Sequence, residues 1–95
     1  MLKPNTYLHK ITKELRTLLP SNYSVECCKF SKTRTIINKT INGIATEFAI
    51  LVYDLQKNVI NADICGVQRS YTVDANFNAQ TIAADIKYCI IHNFS

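Results

Sequence analysis

The sequence predicts a two-layer α+β sandwich: a helix, an antiparallel meander of four or five strands and a second helix, with both helices on one sheet face. Three observations carry this. Apolar residues recur three and four apart near both ends of the chain. Between them lie β-favouring runs separated by short polar turns. Two of those runs are joined by Asn42-Gly43, a pair that tolerates the positive φ angles of a type I′ hairpin turn.

The first helix is expected from Thr6 to Leu19. Tyr7, Leu8, Ile11, Leu15, Leu18 and Leu19 share its apolar stripe, Asn5 or Thr6 can cap its start, and Pro20 stops it. Its opposite face carries His9, Lys10, Lys13 and Arg16. Strands follow at roughly Tyr23 to Phe30, Arg34 to Ile41, Ile44 to Leu55, Val59 to Cys65 and Arg69 to Asp74. The Asn42-Gly43 turn pairs Ile41 with Ile44, Lys39 with Thr46, Ile37 with Phe48 and Thr35 with Ile50. Strict alternation then puts Ile37, Ile41, Ile44, Phe48, Ile50 and Val52 on the core face. Arg34, Ile36, Asn38, Thr40, Ala45, Glu47, Ala49, Leu51 and Tyr53 fall on the reverse.

A three-residue loop, Gln56-Lys57-Asn58, with Asn58 left-handed, turns Ile60, Ala62 and Ile64 inward and leaves Asn61, Asp63 and Cys65 outside. A loop of two would bury Asn61 and Asp63 at a desolvation cost. The same parity across Ser31-Lys32-Thr33 puts Tyr23, Val25 and Cys27 inside, with Glu26 and Cys28 outside. Gly66 marks a bulge or bend. The closing helix, about Ala79 to His92, is capped by Asn78 and buries Ala79, Ile82, Ala83, Ile86, Cys89 and Ile90.

Ninety-five residues make one domain, expected to span 1–95, that buries roughly 65% of its unfolded surface without needing metal or disulfides. Two Gly and two Pro leave little room for linkers. The first residues lack the apolar run of a signal peptide, and the longest apolar run, Phe48 to Tyr53, is far short of a membrane span. A cytoplasmic location is expected, with Cys27, Cys28, Cys65 and Cys89 reduced. In that compartment the sequons at Asn22, Asn38 and Asn93 carry no glycan.

Catalysis finds little support. His9 and His92 are surface positions on helices, and Cys28 beside Lys29 has no base or oxyanion site to make it a nucleophile. No phosphate-loop, dinucleotide, nucleophile-elbow or zinc-protease motif occurs. The cysteines form no C-x-x-C and the two histidines are far apart, so neither metal nor other cofactor is expected, and the chain is read as a non-enzyme.

Binding is the remaining class. The net charge of +4 suits acidic partners, nucleic acid included. Lys29, Lys32 and Arg34 flank Phe30 at a hairpin tip, and with Lys10, Lys13 and Arg16 they make a candidate surface for RNA or DNA phosphates. The helix–strands–helix order resembles, in architecture alone, the double-stranded RNA-binding domain. The lysine-rich start of that domain's second helix is here Asp74-Ala75-Asn76-Phe77-Asn78-Ala79-Gln80-Thr81, without a cation, so membership does not follow.

The stronger expectation is a protein interface on the reverse sheet face, or self-association through that face or through an edge strand. Ile36, Ala49, Leu51, Tyr53 and Leu55 would form its apolar centre, with Arg34, Asn38, Glu47, Asn61 and Asp63 as its rim. The richness in Asn, Ile, Lys and Thr resembles AT-rich coding sequence, which suits a phage or mobile-element inhibitor or accessory factor.

Overall fold

The computed structural model describes residues 6–28 and 30–94. The candidate cap Asn5, the cation Lys29 and the side chains of the Asn93 sequon lie outside those described. The elements are α1 (Thr6–Leu18), β1 (Tyr23–Cys27), β2 (Arg34–Ile41), β3 (Ile44–Asp54), β4 (Val59–Ile64), β5 (Val67–Thr72) and α2 (Ala79–Phe94). The five strands form one antiparallel sheet in sequence order, the meander expected of the turns.

Both helices cover the same face. Leu8, Ile11 and Leu15 of α1, and Ile82, Ala83, Ile86, Cys89 and Ile90 of α2, share one buried cluster with Val25, Ile37, Leu51, Ile60 and Ile64. Asn78 accepts the Thr81 amide at 3.1 Å, so the expected cap of α2 is present. Inside the cluster, the hydroxyls of Thr12 and Thr35 meet at 3.0 Å and satisfy one another.

Asn42 and Gly43 both take positive φ, and Ile41 pairs with Ile44 and Lys39 with Thr46, as the turn requires. The register then shifts. Asn38 pairs with Glu47 but Ile37 pairs with Ala49, leaving Phe48 as the extra residue of a β-bulge. Phe48 and Ala49 therefore both turn inward, and beyond them Leu51 and Tyr53 face the core while Ile50 and Val52 face out.

This corrects the inner-face assignment of Ile50 and Val52 and the outer-face assignment of Ala49, Leu51 and Tyr53. Ile41 and Ile44 keep their side of the sheet but sit at the hairpin tip past the helices, where Ile44 is 68% exposed. Ile60, Ala62 and Ile64 are nonetheless buried as expected. The β3–β4 connection is one residue longer than expected, because Asp54 pairs with Val59 and its carboxylate accepts the Gln56 and Lys57 amides. The bulge and the longer turn each reverse parity, and together they restore it.

Several boundaries move for local reasons. β1 stops at Cys27. β5 starts at Val67 because Cys65 and Gly66, both at positive φ, make a two-residue turn in place of a bulge. Asp63 Oδ1 accepts the Gly66 amide at 2.9 Å, which holds that turn closed.

Candidate functional site: the open sheet face

With both helices on one side, the other side of the sheet has no covering element among the described residues. Its centre is apolar. Ile36 of β2 stands opposite Ile50 of β3, Val52 stands beside Ile50 along β3, and all three are half-buried. Around them lie Arg34, Asn38, Glu47, Asn61 and Asp63. The apolar centre and polar rim read from the sequence thus exist, but the centre is built from Ile50 and Val52 in place of Ala49, Leu51 and Tyr53.

Ala49, Leu51 and Tyr53 are buried beneath the helices and present no surface. Tyr53 stacks on Tyr7 at 6.0 Å between ring centroids and donates its hydroxyl to Asn58 at 3.0 Å. Leu55 lies in the β3–β4 turn, exposed but off the sheet face.

The face is hollowed. A trough of about 540 Å³ runs over Ile50 and Val52 between Arg34, Asn61, Asp63 and Ser70. One side is held by the Ser70 hydroxyl, which donates to Asn61 Oδ1 at 2.8 Å. A second hollow of about 220 Å³ lies on the far side of Ile36, bounded by Glu26, Cys28, Asn38 and Phe30. Phe30 is 89% exposed, an aromatic ring standing free at the corner of this face.

Charge divides between the two sides. Four of the seven acidic residues, Glu26, Glu47, Asp54 and Asp63, belong to outward-facing strand positions, with Arg34 as the one cation of those positions among the described residues. Lys10, Lys13 and Arg16 lie on α1 and Lys87 on α2, in the opposite layer. A protein of net charge +4 therefore carries a locally acidic sheet face.

This division separates the residues of the phosphate-binding expectation. Arg34 points into the acidic face, Lys32 is exposed in the β1–β2 loop, and Lys10, Lys13 and Arg16 are exposed on α1. Arg16 already donates its Nε to the Val25 carbonyl at 2.7 Å, tying α1 to β1. Among the described residues, Arg34 and the α1 cations therefore lie on opposite sides of the sheet.

Among the described residues no three His, Cys, Asp or Glu side chains come together as a metal ion would need, and Cys27, Cys28, Cys65 and Cys89 are all free thiols. No helix is long and apolar enough to cross a membrane among those residues. Burial foremost, then its 2.5 Å hydrogen bond to Asp85 Oδ2, pushes the Tyr71 phenol well above the ordinary tyrosine range. That pair braces β5 against α2.

Sequence reasoning missed Ile50 and Val52 as surface residues because Phe48 to Tyr53 is apolar throughout and has no alternation to betray a bulge. One readable signal existed. Asp54 is a turn-initiating residue, and ending β3 there would have reversed the parity of β3 relative to β4. In comparisons with known proteins, no family model, no curated protein and no solved structure matches this chain.

Proposed function

We propose that this chain is a small non-enzymatic binding protein that recognises another protein through its open sheet face, centred on Ile36, Ile50 and Val52. One observation carries the reading: a hollowed apolar strip, rimmed by polar groups, lies on the side of the sheet opposite the one that carries both helices. Phe30, free at its corner, has the character of an aromatic anchor. The acidic rim of Glu26, Glu47 and Asp63 favours a basic partner surface, such as one that a nucleic-acid-handling protein uses for phosphate. An inhibitor or accessory factor of a phage or mobile element would act in this manner. The acidic rim disfavours direct phosphate binding at the same face.

The test is affinity capture from the source cell, with and without nuclease, using the wild-type chain and an Ile50→Asp plus Val52→Asp variant. The reading expects a nuclease-resistant protein partner that the variant loses while its circular dichroism stays native. Partners that vanish with nuclease, or persist with the variant, would overturn it.

A further inference from the structure

The two edges of the sheet are treated differently. At the β1 edge, Tyr23 N–H donates to the Pro20 carbonyl at 3.0 Å and the Val25 carbonyl accepts Arg16 Nε, so part of the edge is already occupied. At the β5 edge the turn at Cys65-Gly66 makes Ile64 and Val67, Ala62 and Arg69, and Ile60 and Tyr71 the hydrogen-bonded pairs, a phase continued by Val73 N–H donating to Asn58 O at 2.8 Å. The backbone groups of Gln68, Ser70 and Thr72 therefore point away from β4. β5 has no proline, lysine or bulge to blunt this edge, and the side chains of those three residues are uncharged.

We infer that β5 is a self-association edge, pairing antiparallel with β5 of a second copy about a two-fold axis at Ser70 to join two sheets into one of ten strands. The sequence is self-complementary in that register. Ser70 meets Ser70 and Gln68 meets Thr72, giving about six backbone hydrogen bonds with no like charges opposed. On the helix side, Arg69 of one copy stands opposite Tyr71 of the other, whose hydroxyl is held by Asp85. The exposed guanidinium thus meets an aromatic ring backed by a carboxylate, a charge-complementary pairing.

The neighbouring flank of α2 fits the same axis. Thr81 lines the cleft beside Ser70 and Thr72, Asp85 reaches Tyr71, and Tyr88 is 59% exposed while stacked on His92 at 4.0 Å. With the axis normal to the sheet, the two α2 flanks face one another above the joined strands, so Tyr88 gains cover. A second copy is favoured over a foreign strand because Arg69 and the Tyr71–Asp85 pair both belong to this chain.

The experiment is sedimentation velocity on the full chain from about 10 μM to about 1 mM, with residue-resolved amide exchange at both ends of the range. The expected result is a shift from 10.8 kDa toward twice that mass, with at least tenfold slower exchange at Gln68, Ser70 and Thr72 in the dimer. Gln68→Lys plus Thr72→Lys, both at exposed positions, should return a monomer of native circular dichroism, and Arg69→Glu should weaken the dimer at least tenfold. A monomer throughout, a dimer whose β5 amides exchange freely, or a dimer indifferent to these variants would each overturn the inference. Protection confined to the face around Ile50 would instead mark association through the open face, which keeps the two readings distinguishable.

Discussion

Ile37 stands opposite Ala49, one residue later than unbroken alternation from the Asn42-Gly43 turn would place it. That single displacement decides which side of β3 meets the helices and which meets solvent. Leu51 and Tyr53 become core, and Ile50 and Val52 become the floor of the open face.

The first prediction follows from this parity. Leu51→Ala should cost about 2–5 kcal/mol because it opens a cavity in the buried cluster, whereas Ile50→Ala should cost about 1 kcal/mol or less. Urea denaturation of the two variants gives the comparison. Equal losses, or the reverse order, would contradict the bulge.

The Thr12–Thr35 hydroxyl pair makes a second prediction. Thr12→Val strands a buried hydroxyl and should destabilise by about 1–3 kcal/mol, as should Thr35→Val. The double variant should lose less than the sum, since an apolar pair of similar shape leaves nothing unsatisfied. A double-mutant cycle measured by denaturation reads this coupling.

Tyr71 sets a pH dependence. Its phenol is raised in the folded state relative to about 10 in an unfolded chain, so the fold prefers its protonated form. The associated stability is fully present below pH about 10 and is lost as pH climbs from there toward the folded-state value. Ultraviolet titration should show one tyrosine ionising later than the rest and absent in Tyr71→Phe, whose stability should also fall less steeply between neutral and alkaline pH.

Cys65 holds a φ of 50° without being glycine or asparagine, and its Sγ donates to the Phe48 carbonyl at 3.2 Å. Cys65→Asn keeps a polar side chain and suits the left-handed conformation better, so thermal unfolding should move upward by the equivalent of up to about 1 kcal/mol. A lower melting temperature would show that the sulfur contact outweighs the backbone strain.

Much of the fold was legible because its cues are local. The helical stripes at Leu8, Ile11 and Leu15 and at Ile82, Ile86 and Ile90, the Asn78 cap and the Asn42-Gly43 turn each depend on a few adjacent residues. The bulge at Phe48 was not, because it reflects a choice between two apolar faces of one continuous run, made by the helices that pack on it. The Cys65-Gly66 turn escaped for a related reason: cysteine seldom adopts positive φ, and here the Asp63 carboxylate supports it. Of the five residues expected at the centre of the interface, Ile36 alone lies on the open face; Ala49, Leu51 and Tyr53 are core and Leu55 sits in the β3–β4 turn.

The most direct test of the open face as the binding surface is site-specific photo-crosslinking in the source cell, with the reactive side chain at Asn61 on its rim and, separately, at Lys13 on α1. The account predicts a discrete, nuclease-resistant protein adduct from Asn61 and none from Lys13. An adduct from Lys13 alone, or crosslinking to nucleic acid from either position, would contradict it.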